Sequence, residues 1–225
     1  MEKPLVLEIN KSPYGWELFE SNVIKINDKI NIFAGPNGYG KSSLVLMMKE
    51  FLKQQNYKEF ELISKNNNDK NATKGFLSYD AKYDSYNNIL GSNLYQQNFE
   101  LVATMMEASE GQNKIFIMAD LFNQIKTIKT KSENENLEQI IVFIDGIESG
   151  LSIDMIQFMM KTLPLKIQQI ENLGLECILI FTTNNYEMCR GRTVIDPITF
   201  REIKYESYED FCNDMLKKSI INSQQ

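Results

Sequence analysis

Two kinds of hydrophobic pattern alternate along the chain, and the alternation itself predicts the fold. Short apolar runs at 5–9 (LVLEI), 23–34 (VIKINDKINIFA), 60–64, 74–80 (KGFLSYD), 140–145 (IIVFID) and 177–182 (CILIFT) read as strands. The last two are continuous and β-branched, the pattern of strands buried on both faces. Helical spacing of apolar residues begins at Lys41 (KSSLVLMMKEFLKQQ) and recurs at 92–108, 113–128 and 152–172, where Pro164 is expected to kink or split the helix. Strand candidates at 193–195 and 199–204 follow. Ser207-Tyr-Glu-Asp210 then resembles a capping box opening a last helix to about Lys218.

Polar stretches at 64–73 and 129–139 read as loops, the second separating the 113–128 helix from the strand at 140–145. Buried strands alternating with helices predict an α/β fold with a mainly parallel central sheet flanked by helices. No internal repeat or long linker interrupts the pattern. The expectation is one domain over 1–218, with a helical region at 92–128, a polar insert at 129–139 and a flexible tail at 219–225.

Composition narrows the chemistry more than the fold. The 225 residues are 43% hydrophobic and 24% charged, enough to bury one sizeable core. No run of about 18 apolar residues is present to cross a membrane, and the first ten residues lack the basic-then-apolar order of a signal peptide. Three unpaired cysteines (Cys177, Cys189, Cys212) suit a reducing, cytoplasmic setting. The chain has 0 histidines, which excludes a Ser-His-Asp triad and a His-ligated zinc site. Net charge is −6, and of 24 basic residues only Arg190, Arg192 and Arg201 are arginine. Direct nucleic-acid binding is therefore not indicated, and the two neighbouring arginines read as a solvated loop.

One motif carries specific chemistry. Gly35-Pro36-Asn37-Gly38-Tyr39-Gly40-Lys41-Ser42 satisfies G-x-x-x-x-G-K-[ST], between an expected strand and an expected helix, with Ser43 following. Its glycines allow a backbone path that turns several N–H groups toward one phosphate, and the helix N-terminus adds its positive end. Lys41 is expected to reach the β- and γ-phosphates of ATP, and Ser42 to give its hydroxyl to Mg²⁺. A carboxylate at the end of a buried strand must complete the metal site. Asp145, closing IIVFID, is the residue in that place.

GPNGYGKSSL closely resembles the P-loop of the ABC-type ATPase superfamily, which includes transporter ATPases and the head domains of structural-maintenance proteins. Ser109-Glu110-Gly111-Gln112 is similar to that superfamily's signature sequence, and FIDGIESGLSIDM to its metal aspartate and following loop, with Ser149-Gly-Leu-Ser152 in place. The ending YEMCRGRTVIDPITFREIKYESYEDFCNDML resembles small stand-alone bacterial ATPases of this type, within the wider AAA-family P-loop class. Six of the eleven glycines (Gly35, Gly38, Gly40, Gly111, Gly146, Gly150) fall in these motifs. The resemblance implies N-terminal antiparallel strands and a head-to-tail homodimer around two Mg·ATP. Ser109, Gly111 and Gln112 of one subunit would then act in trans on the γ-phosphate held by the other.

The sequence also departs from that family. Gly146 stands where a catalytic glutamate usually follows the metal aspartate, and Glu148 is the nearest carboxylate. Asn184 occupies the switch position where a histidine is expected. Asp80 is the substitute for a Q-loop glutamine, which is missing between Gly75 and Tyr86. Loss of a general base costs about 10²–10⁴-fold, so ATP binding is expected to survive while hydrolysis is slow or partner-dependent. The leading expectation is a cytoplasmic ATP-driven switch subunit for a separate effector, in a setting such as bacterial anti-phage defence or DNA repair. A non-hydrolysing ATP sensor or assembly platform is the alternative. A small-molecule P-loop kinase is disfavoured, because it needs an arginine-rich lid. Too few residues separate Ser42 from Ser109 for coiled-coil arms, and no heptads occur there. Trp16 and Tyr14 are candidates for adenine stacking but read first as packed aromatics. The paired methionines (Met47, Met48, Met105, Met106, Met159, Met160) read as core filler.

Overall fold

The structure is a computed structural model, and it describes residues 5–8, 23–61, 71–80, 109–131 and 136–223. Among these residues run nine strands and five helices in the order β1 Leu5–Glu8, β2 Val23–Ile26, β3 Ile30–Ala34, α1 Lys41–Gln54, β4 Lys58–Phe60, β5 Lys74–Asp80, α2 Glu110–Thr130, β6 Gln139–Asp145, α3 Ile153–Glu171, β7 Glu176–Thr183, α4 Tyr186–Cys189, β8 Thr193–Ile195, β9 Glu202–Lys204 and α5 Tyr208–Ser223. The chain is α/β. Seven strands form one mostly parallel sheet, and β1 and β2 form a separate antiparallel pair.

Packing divides the chain into two compact units, residues 1–57 with 178–225, and residues 58–177. In the first, β3 lies between β7 and β8 and is parallel to both, while β8 pairs antiparallel with β9. Ile32, Phe33 and Ala34 of β3 and Leu179, Ile180 and Phe181 of β7 are almost fully buried, as expected of a strand covered on both faces. Helix α1 presents Leu44, Met48 and Leu52 to the core of its unit.

In the second unit β4, β5 and β6 are parallel neighbours, registered Gly75↔Ile140 through Asp80↔Asp145. Strand β7 enters this unit with its first residues, Glu176 N–H donating to Glu138 O at 2.8 Å. The β6 residues Ile140 to Ile144 are all fully buried, and Phe143 meets Phe76 of β5 edge-on, ring centroids 6.2 Å apart. Both Met47/Met48 and Met159/Met160 are buried, in keeping with a filling role.

Several boundaries differ from the sequence expectation. The apolar stretch 23–34 is two strands rather than one. Asn27, Asp28 and Lys29 interrupt it, so β2 pairs antiparallel with β1 while β3 joins the parallel sheet. The strand expected at 60–64 lies earlier, at Lys58–Phe60, and the strand expected from 199 is shortened to Glu202–Lys204. Pro164 sits inside α3 without splitting it. Helix α5 continues to Ser223, past the expected end near Lys218, because no glycine or proline stops it. The 129–139 insert is shorter than expected, since Lys129 and Thr130 close α2 and Gln139 opens β6. Tyr14, Trp16, Met105, Met106 and the helix expected at 92–108 lie outside the described residues.

Candidate functional site

The loop Gly35–Gly40 joins β3 to α1, and its shape follows from its composition. Gly38 and Gly40 adopt φ of 78° and 76°, the left-handed region that costs a residue with a Cβ roughly 1–2 kcal/mol. Gly35 N–H donates to Thr183 O at 3.1 Å, so the loop leaves β3 anchored to the end of β7. Tyr39 N–H donates back to Pro36 O at 3.3 Å, closing a turn, and Leu44 N–H donates to Gly40 O at 2.8 Å, starting the helix. Helix α1 has no side-chain cap and no acidic residue in its first turn. Nothing anionic on its first turn therefore offsets the positive end of its dipole.

Lys41 turns back over this loop, its ammonium donating to Gly35 O and Pro36 O, each at 2.8 Å. The cation is thus held at the mouth of the turn by two carbonyls. Pro36 and Tyr39 are buried, whereas Asn37, Gly38 and Ser42 are exposed and Ser43 is half-buried. Asn184, just beyond β7, donates from Nδ2 to Asn37 Oδ1 at 2.9 Å. The structure therefore brings the expected switch residue onto the loop itself.

The second unit holds the other candidates. Asp80 and Asp145 end β5 and β6 at facing register positions, so two half-buried carboxylates stand side by side at the carboxyl ends of parallel strands. Such strand ends are where ligands bind in open α/β sheets. After Asp145 the chain turns through Gly146 (φ 70°) and Gly150 (φ 80°), with Ser149 N–H donating to Gly146 O at 3.2 Å and Leu151 N–H to Glu148 O at 3.1 Å. Glu148 lies inside this double turn and is only 8% exposed.

The segment Ser109–Gln112 is the N-terminus of α2, a setting that sequence reasoning missed. Gln112 N–H donates to Ser109 Oγ at 3.3 Å and Ser109 N–H donates to Gln112 Oε1 at 2.8 Å, a complete capping box. The S-x-x-Q spacing was the available signal. Ser109 and Gln112 are exposed while Gly111 is buried. A Cβ on Gly111 would stand 2.8 Å from Met155 Sδ and 3.2 Å from Gly150 O. The signature-like segment thus packs on the loop that follows Asp145.

The candidate ligands for Mg²⁺ (Ser42, Asp145 and Asp80) are all hard oxygen donors, which suits this ion. Among the described residues no group of three His, Cys, Asp or Glu forms a metal cage. Arg190 reaches Glu187 at 3.5 Å and is itself exposed. Arg192 is half-buried, and burial lowers its pKa while the nearby Cys189 raises it. No helix among the described residues is long and apolar enough to cross a membrane. No protein-family model matches the chain, and no curated protein matches it.

Proposed function

We propose that this chain is an ATP-binding switch protein of ABC-ATPase type, taking the triphosphate of Mg·ATP on the loop Gly35–Ser43. The observation that carries the reading is the loop itself. Two left-handed glycines, an uncapped helix start and the Lys41 ammonium converge on one turn, the arrangement that receives phosphate oxygens. The ammonium would exchange its two carbonyl partners for β- and γ-phosphate oxygens. Ser42, Asp145 and Asp80 would hold Mg²⁺, which when bound neutralises charge between those phosphates.

Two copies would meet head to tail, with Ser109, Glu110, Gly111 and Gln112 of one closing over the γ-phosphate held by the other. The helix-start geometry of this segment supports that role, since Gln112 and Ser109 remain exposed at a positive helix end. The homodimer, formed with ATP and released without it, would license a separate effector, in anti-phage defence or DNA repair. Hydrolysis is slow or waits for that partner, because Gly146 offers no carboxylate.

A second reading has its own observation. Glu148, the nearest carboxylate to the missing base, is 8% exposed inside the turn. Asn184 can accept and donate hydrogen bonds but carries no charge. An ATP-locked dimer that hydrolyses nothing, a sensor or assembly platform, uses the same loop.

The test is Mg·ATP binding, oligomeric state and multiple-turnover phosphate release, compared among wild type, Lys41→Ala and Glu148→Gln. Wild type should bind and dimerise, with phosphate release slow and changed less than about threefold by Glu148→Gln. A drop of about 10²–10⁴-fold would instead give Glu148 the base role. Absence of phosphate release with binding intact favours the sensor. Absence of ATP binding by wild type overturns both readings.

A further inference from the structure

Tyr39 is the bulky residue of the phosphate loop, and its ring is buried rather than offered to solvent. It lies against Gly35: a Cβ built there would be 2.7 Å from Tyr39 Cδ1 and 3.2 Å from Pro197 Cγ. The first residue of the loop is therefore roofed by two rings, one from the loop and one from the segment between β8 and β9. Lys218 of α5 places its Nζ 5.7 Å from the centroid of the Tyr39 ring, within the range of a cation–π contact.

That cation is held from the other side. Lys218 Nζ lies 2.7 Å from Asp196 Oδ2 and 2.6 Å from Asp214 Oδ2. Its side chain is 7% exposed and that of Asp196 3%. Asp196 Oδ1 accepts the N–H groups of Ile198 and Thr199 at 2.9 and 2.8 Å, and Tyr205 donates its hydroxyl to Asp214 Oδ2 at 2.6 Å. Every partner in the cluster is fixed by a second one. A buried lysine in such a clamp cannot wander as a surface lysine does, and breaking one side of it leaves an uncompensated buried charge.

We propose that Lys218 is a positioning residue for the phosphate loop. Clamped by Asp196 and Asp214, it holds the Tyr39 ring over Gly35 and so keeps the loop in its binding conformation. The loop is preformed from the far end of the chain, which lowers the ordering cost when a ligand arrives. The effect on nucleotide rests on the ATP-binding reading; the effect on the loop does not.

The test uses the full chain as wild type, Lys218→Met, Lys218→Arg, Tyr39→Leu, and the double variant Tyr39→Leu/Lys218→Met. Amide hydrogen exchange at residues 35–42 is read without ligand, and affinity is read with Mg²⁺ and a fluorescent ATP analogue. Loss of the contact should speed exchange in the loop by about 3- to 30-fold, with β3 and β7 unchanged, and weaken analogue binding by a similar factor. The double variant should be no worse than Lys218→Met alone, since the ring contact is already lost there. Lys218→Arg should restore wild-type behaviour, because a guanidinium also stands over a ring. Should Lys218→Met fail to fold, Tyr39→Leu carries the comparison with the ion cluster intact. Unchanged loop exchange in Tyr39→Leu, or additive effects in the double variant, overturns the proposal. If wild type binds no analogue, the ATP reading falls while the exchange comparison still decides the role of Lys218.

Discussion

Gly111→Ala sets two opposing effects of known size against each other at the signature-like segment. The residue lies in the first turn of α2, and replacing glycine by alanine within a helix is worth roughly 1 kcal/mol of stability. Against this, the new methyl would stand 2.8 Å from Met155 Sδ and 3.2 Å from Gly150 O. The thioether can swing aside, but the carbonyl belongs to a turn held by glycines of positive φ. Forcing a methyl into a filled site costs about 1–3 kcal/mol. The net expectation is a loss of roughly 0–2 kcal/mol, or a fall in Tm of about 0–8 °C at roughly 2–4 °C per kcal/mol.

Thermal and urea unfolding of Gly111→Ala, Met155→Ala and the double variant measure this directly. In the Met155→Ala background the closer contact is gone and only the Gly150 carbonyl opposes the methyl, so its cost should be smaller than in wild type. Gly174→Ala is the control for backbone strain alone. Its φ is 72° with nothing within 4 Å of the added Cβ, so it should cost roughly 1–2 kcal/mol. An equal penalty for Gly111→Ala with and without Met155 refutes the packing argument. So does a variant more stable than wild type.

Other consequences can be measured in parallel. Lys41→Ala removes a charged donor to phosphate and should weaken Mg·ATP binding by about 10- to 150-fold, with Tm lowered by only a few degrees, read by titration and differential scanning fluorimetry. Gly75→Ala should be among the most damaging glycine changes, because a Cβ there would overlap the Phe60 ring and approach Lys58 O at 3.1 Å; chemical denaturation checks it. Burial pushes the Asp196 carboxyl up, but the hydrogen bond from Lys218, the N–H groups of Thr199 and Ile198 and the Lys218 charge outweigh it and hold the pKa below the usual value. A carboxylate with a depressed folded pKa contributes stability that is complete above about pH 4 and is lost as pH falls through the folded value. Asp196→Asn should therefore flatten the acid limb of a Tm–pH profile. Asp120 works the other way, since burial raises its pKa despite the Gln124 hydrogen bond.

What the chain writes locally was legible in it. The strands at Lys74–Asp80 and Gln139–Asp145, the glycine turn and helix α1 all follow from neighbours a few residues apart: apolar runs, their stops and their period. The same local logic encoded the Ser109–Gln112 capping box, in its S-x-x-Q spacing. Tertiary structure alone decided pairing and partnership. The division of 23–34 depends on β1, the facing of Asp80 and Asp145 on the register of β5 with β6, and the contact of Asn184 with Asn37 on the end of β7. Lys218 reads in sequence as one more exposed lysine of an amphipathic helix. Only the fold turns it into a buried charge between two carboxylates and a tyrosine: Asp214, four residues earlier on the same helix, leaves a spacing in the sequence, but Asp196 and Tyr39 lie too far along the chain to leave any.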